Sequence, residues 1–219
     1  MITFPITQFA KSKTQDIISG LVLHLQLTET SGNAIDSSPI GNDGAPSTPA
    51  PTQTATGAVF NGVDTFFTLN QALFPTTDAF TFSAIYNGVS LKNWNCILGI
   101  DTYSPDFTVR DYGALGQAIN IYHGGDIDST KNLVISDGND HRVTIIRTGL
   151  GTNETAFYLD HVAVGAATYP NTFNPTTRAL VGGSDDTDAF LDGKIRDVRF
   201  YTRALTATQE LALPNLSIA

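Results

Sequence analysis

Asp192-Gly193-Lys194-Ile195-Arg196-Asp197-Val198-Arg199-Phe200-Tyr201-Thr202-Arg203-Ala204-Leu205 is the stretch on which the fold turns. It reads as a strand entered through a glycine turn and running into Thr206-Ala207-Thr208-Gln209, where Thr206 and Gln209 have the spacing of a helix capping box. Its distant partner is Gly20 to Gly44, which opens as Leu21-Val22-Leu23-His24-Leu25-Gln26-Leu27 with leucine at every odd position. One face of that strand should be core; the other, carrying His24, can be wet.

Further steps lie beside these ends: Ser31-Gly32, Asp36-Ser37-Ser38, Gly41-Asn42-Asp43-Gly44, Phe60-Asn61-Gly62-Val63-Asp64 and Phe80-Thr81-Phe82-Ser83-Ala84. With Gly20 to Leu27 and Gly193 to Leu205 they resemble the concanavalin A-like, laminin G-like jelly-roll family. The resemblance implies an all-β, two-sheet antiparallel sandwich over residues 20–219, with residues 1–19 an extended N-terminal arm and a short helix at the C-terminus. It speaks for fold, and function has to be argued from the site.

Length and charge narrow the partners. A sandwich of 219 residues can be one undivided domain. A net charge of −9, with five lysines, repels phosphate backbones and anionic bilayers, so neither nucleic acid nor membrane insertion is expected. Cys96, the single cysteine, cannot close an internal disulfide and beside Ile97 and Leu98 should be a buried apolar group. No apolar run reaches membrane-spanning length, and the N-terminus lacks the apolar segment of a signal peptide.

The arm alternates Ile2, Phe4 and Ile6 with polar residues and proline, and Phe9 follows. These four residues read as a docking segment for a neighbouring protein, the alternative being a tag or frayed terminus. Strands are expected at 58–60, 66–69, 79–86, 96–100, 142–147, 156–159, 162–164 and 180–183. Residues 103–125 read as strand and loop, and the proline-rich 45–51 should interrupt any ladder. The helix from Thr206 should stop near Pro214. At Asp160-His161 the family favours Asp-Gly, so a different turn or a strained histidine is implied.

Three chemistries compete. Glycoside hydrolysis needs two facing carboxylates, but the glutamates stand isolated at 29, 154 and 210, so no catalytic residue is expected and a glucanase-like enzyme is the minor alternative. The resemblance would place a calcium ion between the 36–42 turn and the last strand, yet the usual aspartate position is Arg196. The site is expected to be calcium-free, with Arg196 paired to Asp36 and no cofactor required. Asp185, Asp186 and Asp188 read as solvated turn acids, and His24, His123, His141 and His161 lack metal-ligand spacing.

Sugar recognition is the third. Trp94, between Asn93 and Asn95, and Tyr103, Tyr112 and Tyr122 are the candidate ligand-binding residues, with core packing or edge shielding the alternative for each. The expectation is a non-catalytic binding or structural protein located in a virion: a bacteriophage decoration or fibre subunit able to form a homo-oligomer. Its outward lectin-like domain would adhere to surface glycans, and its arm would meet other virion proteins. A free or cell-surface lectin is the alternative.

Overall fold

The computed structural model describes residues 17–71, 73, 78–88, 94–100, 106–111, 113–122, 125–168, 178–184 and 189–214. Those residues form strands β1 (Leu21–Leu25), β2 (Gly44–Pro46), β3 (Thr52–Thr54), β4 (Gly57–Asn61), β5 (Phe67–Leu69), β6 (Phe80–Gly88), β7 (Asn95–Ile100) and β8 (Asp106–Asp111). The chain continues with β9 (Gln117–Tyr122), β10 (Asp126–Asp128), β11 (His141–Arg147), β12 (Thr155–Leu159), β13 (Val162–Ala167), β14 (Ala179–Val181), β15 (Asp192–Tyr201) and the helix α1 (Ala207–Glu210). All pairings are antiparallel. One sheet runs β13-β12-β11-β6-β15-β4-β3, with β1 also on β15; the other runs β10-β9-β8-β7-β14-β5-β2.

Period-two alternation builds the core between the two sheets. Leu23 and Leu25 of β1, Phe80 and Phe82 of β6, Val143 and Ile145 of β11, and Val198 and Phe200 of β15 meet Phe107, Val109, Ile119 and Ile121 of the facing sheet, all fully or nearly fully buried. Phe107 joins the sheets: its ring lies 4.7 Å from Phe82, 5.6 Å from Phe80 and 6.0 Å from Phe200. Such pairs add about 0.5–1.5 kcal/mol each beyond burial. A smaller cluster of Leu21, Ile146, Tyr201, Leu205 and Leu213 lies outside the main core. Leu21 joins it because the β1–β15 register shifts between Leu21 and Leu23, so the first leucine leaves the face shared by the others.

The two termini of the sandwich lie side by side, with Leu23 opposite Phe200 and Leu25 opposite Val198. Gly193 is inside β15, not in a turn before it. Its φ is +152°, and a Cβ there would stand 2.4 Å from the Asn87 carbonyl oxygen of β6, so close strand approach demands glycine.

Several expectations need correcting. The proline-rich stretch does not break the ladder at once: Ala45 and Pro46 pair with Thr68 and Phe67, which an edge strand allows. The helix ends at Glu210, and single turns of hydrogen bonding continue from Gln209 and Glu210 to Ala212 and Leu213. Its capping box forms as read, Thr206 accepting from the Gln209 amide and Gln209 from the Thr206 amide. At Asp160-His161 the second of the two expected alternatives holds: the ordinary two-residue hairpin turn forms and the histidine takes the strained conformation, with φ 50° and 67° at the two residues. His161 holds that conformation while its Nδ1 lies 3.0 Å from the buried Glu210 carboxylate, tying the hairpin to α1.

Candidate functional site

Two polar constellations stand on the two outer faces. On the seven-stranded sheet, alternation sends Phe107, Val109, Ile119 and Ile121 into the core and turns Thr108, Arg110, Asn120 and Tyr122 to the opposite face, where Thr108 and Asn120 are buried while Arg110 and Tyr122 reach solvent. Trp94, just before β7, is half-buried there. The Arg110 guanidinium carbon sits 3.9 Å from the centre of its indole, and the Tyr122 ring meets it edge-on at 5.1 Å. Arg110 also pairs with Asp126. Asn120 links the rest: it accepts from Thr108 at 3.0 Å and donates to Asp128 at 2.8 Å and Asp126 at 3.4 Å. Lys131 is 3.8 Å from Asp128. Farther along this face Cys96 is fully buried, its thiol donating to the Gly183 carbonyl at 3.4 Å; burial pushes that thiol well up, the setting of an inert cysteine.

The eight-stranded sheet holds a denser network around Asp197. β15 pairs Arg196 with Ile85 and then Arg199 with Ser83, so one extra residue is inserted; Asp197 takes φ 52° in that bulge. Its carboxylate meets His24 Nε2 at 3.0 Å, Arg199 Nε at 2.8 Å and Arg142 Nη2 at 2.5 Å. Burial opposes ionisation of Asp197, but the His24 hydrogen bond and the charges of Arg199 and Arg142 outweigh it and hold the acid well below the usual carboxylate range. Arg142 is fully buried and also donates to Ser83 Oγ and to the Pro214 carbonyl.

The structure brings Trp94 and Tyr122 together, whereas Tyr103 and Tyr112 lie outside the described residues. So do the docking residues Ile2, Phe4, Ile6 and Phe9, the turn acids Asp185, Asp186 and Asp188, and His123. At the last residue of the arm, the Ser19 carbonyl accepts from Arg203 at 2.7 Å.

The expected Arg196–Asp36 pair does not form. Arg196 pairs with Asp140 at 2.9 Å. Asp36 bridges to Leu25 on the side of β1 away from β15, so a whole strand separates it from Arg196. It accepts instead from the amides of His24, Ser38 and Asn42 and from the Ser38 hydroxyl. Among the described residues no group of three or more His, Cys, Asp or Glu side chains is placed to hold a metal ion. No helix among them is long and apolar enough to cross a membrane.

The Asp197 network was not foreseen, although the sequence carried a signal for it. Core positions change parity between Ile195 and Val198, which implies an inserted residue at Arg196-Asp197. What the insertion would gather could not be read, because His24 and Arg142 are remote in the chain.

The family profile described as "Concanavalin A-like lectin/glucanases superfamily" matches residues 61–209. No curated protein sequence matches. Among solved structures, domain 4 of AbnA, a GH43 extracellular arabinanase from Geobacillus stearothermophilus, in complex with arabinotriose, superposes with a TM-score of 0.58 at 17% identity, over 87% of this chain and 86% of that one. The binding domain of botulinum neurotoxin DC in complex with SialylT gives 0.63 at 13% identity, over 89% and 50%. Heptameric SAP-like pentraxin from Limulus polyphemus gives 0.59 at 12% identity, over 69% and 77%. At these identities the likeness is one of fold.

Proposed function

Because this chain belongs to the concanavalin A-like lectin/glucanases superfamily, we propose that it is a non-catalytic glycan-binding domain whose sugar-facing surface is the outer side of the seven-stranded sheet around Trp94 and Tyr122. The observation that carries this reading is the aromatic pair itself, set beside the Asp126 and Asp128 carboxylates, which the buried Asn120 amide holds from behind. Sugar rings present CH faces to aromatic rings and hydroxyls to neighbouring carboxylates and amides. Arg110 occupies one face of the indole, so a sugar would use Tyr122, which is 37% exposed, and the opposite side of Trp94. Two of the fold neighbours are described in complex with arabinotriose and with SialylT, which agrees with this use of the fold.

The non-catalytic part rests on where the acids are spent. Glu29 accepts from the Ile35 amide, Glu154 lies beside Arg147, Glu210 holds His161, and Asp126 and Asp128 are each held by a cation. Calcium is not part of the proposal, since Asp36 already accepts four hydrogen bonds. Within this reading the domain is an outward adhesive module of a bacteriophage particle, docked through residues 1–19. That finer placement is supported by the apolar alternation of the arm, and loss of incorporation on deleting the arm would test it.

A glycan array with the full chain tests the main reading. Trp94→Ala and Tyr122→Ala should each lower binding of the retained glycan at least tenfold while the fold persists. Unchanged binding with reduced thermal stability would assign the rings to structure alone, and release of reducing ends from any polysaccharide would overturn the non-catalytic reading. Calorimetric titration showing a tight calcium site at Asp36 would overturn the rest.

A further inference from the structure

β15 is bordered by two strands in succession on one edge. β4 pairs with Asp192 to Ile195, and β1 pairs with Val198 to Tyr201. Between them, at the bulge, a cavity of about 480 Å³ opens, lined on the β15 side by Arg196, Asp197 and Arg199 and on the β1 side by His24, Gln26 and Thr28. That volume is within the range of about 300–1,000 Å³ typical of small-ligand sites. Both walls bend sharply here: Asp197 has φ 52°, and Leu27, two residues past the end of β1, has φ 57°. Left-handed backbone at a leucine is costly and persists where the surroundings impose it, commonly beside a functional site.

The charges of the lining are unequal. Arg196 and Arg199 face one carboxylate, Asp197, and that carboxylate is already held from behind by the buried Arg142. The nearby acids are engaged elsewhere: Asp140 with Arg196 and Lys194, Glu210 with His161, and Asp36 with its four donors. Arg199 uses Nε on Asp197, and among the described residues no second carboxylate pairs with its terminal nitrogens. A chain of net charge −9 thus gathers guanidinium groups at a concave, partly apolar site. Guanidinium recognises planar carboxylate in a bidentate manner. Within the lining itself two guanidinium groups and one carboxylate leave one surplus cation, which suits a single negative charge, whereas a multiply charged phosphate would be repelled by the acidic whole.

We propose that this cavity is a second binding site, selective for a carboxylated sugar ring. Arg199 binds the carboxylate, Gln26, Thr28 and Thr56 meet hydroxyls, and Ile85 with Pro214 supports the CH face. The site is on the opposite outer face from Trp94 and does not depend on the reading made for that face.

The test is titration of the full chain with glucuronate, galacturonate and their oligomers, against glucose, galactose and their oligomers, with inorganic phosphate as a further arm. The uronates should bind at least tenfold more tightly than the neutral sugars and than phosphate, Arg199→Gln should erase that preference, and Trp94→Ala should leave it intact. Because Arg199 also holds Asp197, Thr56→Val serves as a second variant: it lies on the exposed β3–β4 turn, its hydroxyl meets Thr54, and it should weaken uronate binding several-fold at an unchanged melting temperature. Equal affinity for acidic and neutral sugars, phosphate matching the uronates, full affinity in a folded Arg199→Gln, loss on Trp94→Ala, or no uronate binding at all would each overturn the proposal.

Discussion

The two outer faces carry similar residue types and use them differently. On the seven-stranded sheet Arg110, Asp126, Asn120 and Asp128 come from neighbouring strands within a span of 19 residues, and Arg110 and Asp126 are both part-exposed. On the eight-stranded sheet, partners 173 residues apart, His24 and Asp197, converge with Arg142, whose side chain is wholly excluded from water. The C-terminal segment from Leu205 to Pro214 crosses this face, contributing the Leu205 and Leu213 side chains to the smaller apolar cluster and the Pro214 carbonyl to Arg142. Solvent is the difference. A pair that water can reach contributes little, while removing one partner of a dry pair strands the other.

The sharpest break of this comparison is charge removal. Arg142→Met should cost about 3 kcal/mol, the low end for breaking a buried pair because His24 and Arg199 still hold Asp197, whereas Arg110→Met should cost at most about 1 kcal/mol. Chemical denaturation of both variants measures the gap, and equal losses would erase the distinction. Acid probes the same face without mutation. Asp197 titrates below its ordinary 3.8 in the folded protein, so its contribution is complete above that value and is lost as the pH falls through the lower folded one. Unfolding free energy should therefore drop steeply below about pH 4, and the drop should be shallower in Asp197→Asn.

Smaller effects sharpen the contrast. Thr206→Ala removes the cap of the helix that sits on the dry face and should cost about 1 kcal/mol in thermal unfolding. At the rim of the same sheet, burial of His141 opposes its protonation, but hydrogen bonds to Asp160 and Asp137 win and raise it above its ordinary 6.5. Its contribution is complete below that value and fades as the pH rises through the higher folded one. His141→Gln should flatten a shallow decline of stability above pH 6.5, read from melting temperatures across neutral pH.

Much of the sandwich was legible because period-two alternation is local. The β1 leucines, the Phe80-Thr81-Phe82 alternation of β6 and the Thr206–Gln209 box each declare their structure within a few residues, and β1 and β15 pair as the ends of the chain foretold. The short strands β2, β3 and β10 escaped, being three residues each and held by the neighbours they pair with. Trp94 and Tyr122 were legible as candidates by residue type, yet Arg110 over the indole was not, since cation–π contact leaves no spacing in a sequence.

By itself the sequence determined the alternating faces, the family and the acidic, disulfide-free character of the chain, since these depend on neighbours along the backbone and on composition. Which cation meets which carboxylate was decided by the tertiary structure alone. Arg196 bonds Asp140 rather than Asp36 because a whole strand stands between the latter two, and Asp197 collects three partners because a single inserted residue turns it toward them. Electrostatic partners are chosen by distance and by exclusion of water, and both exist only once the sheets have closed.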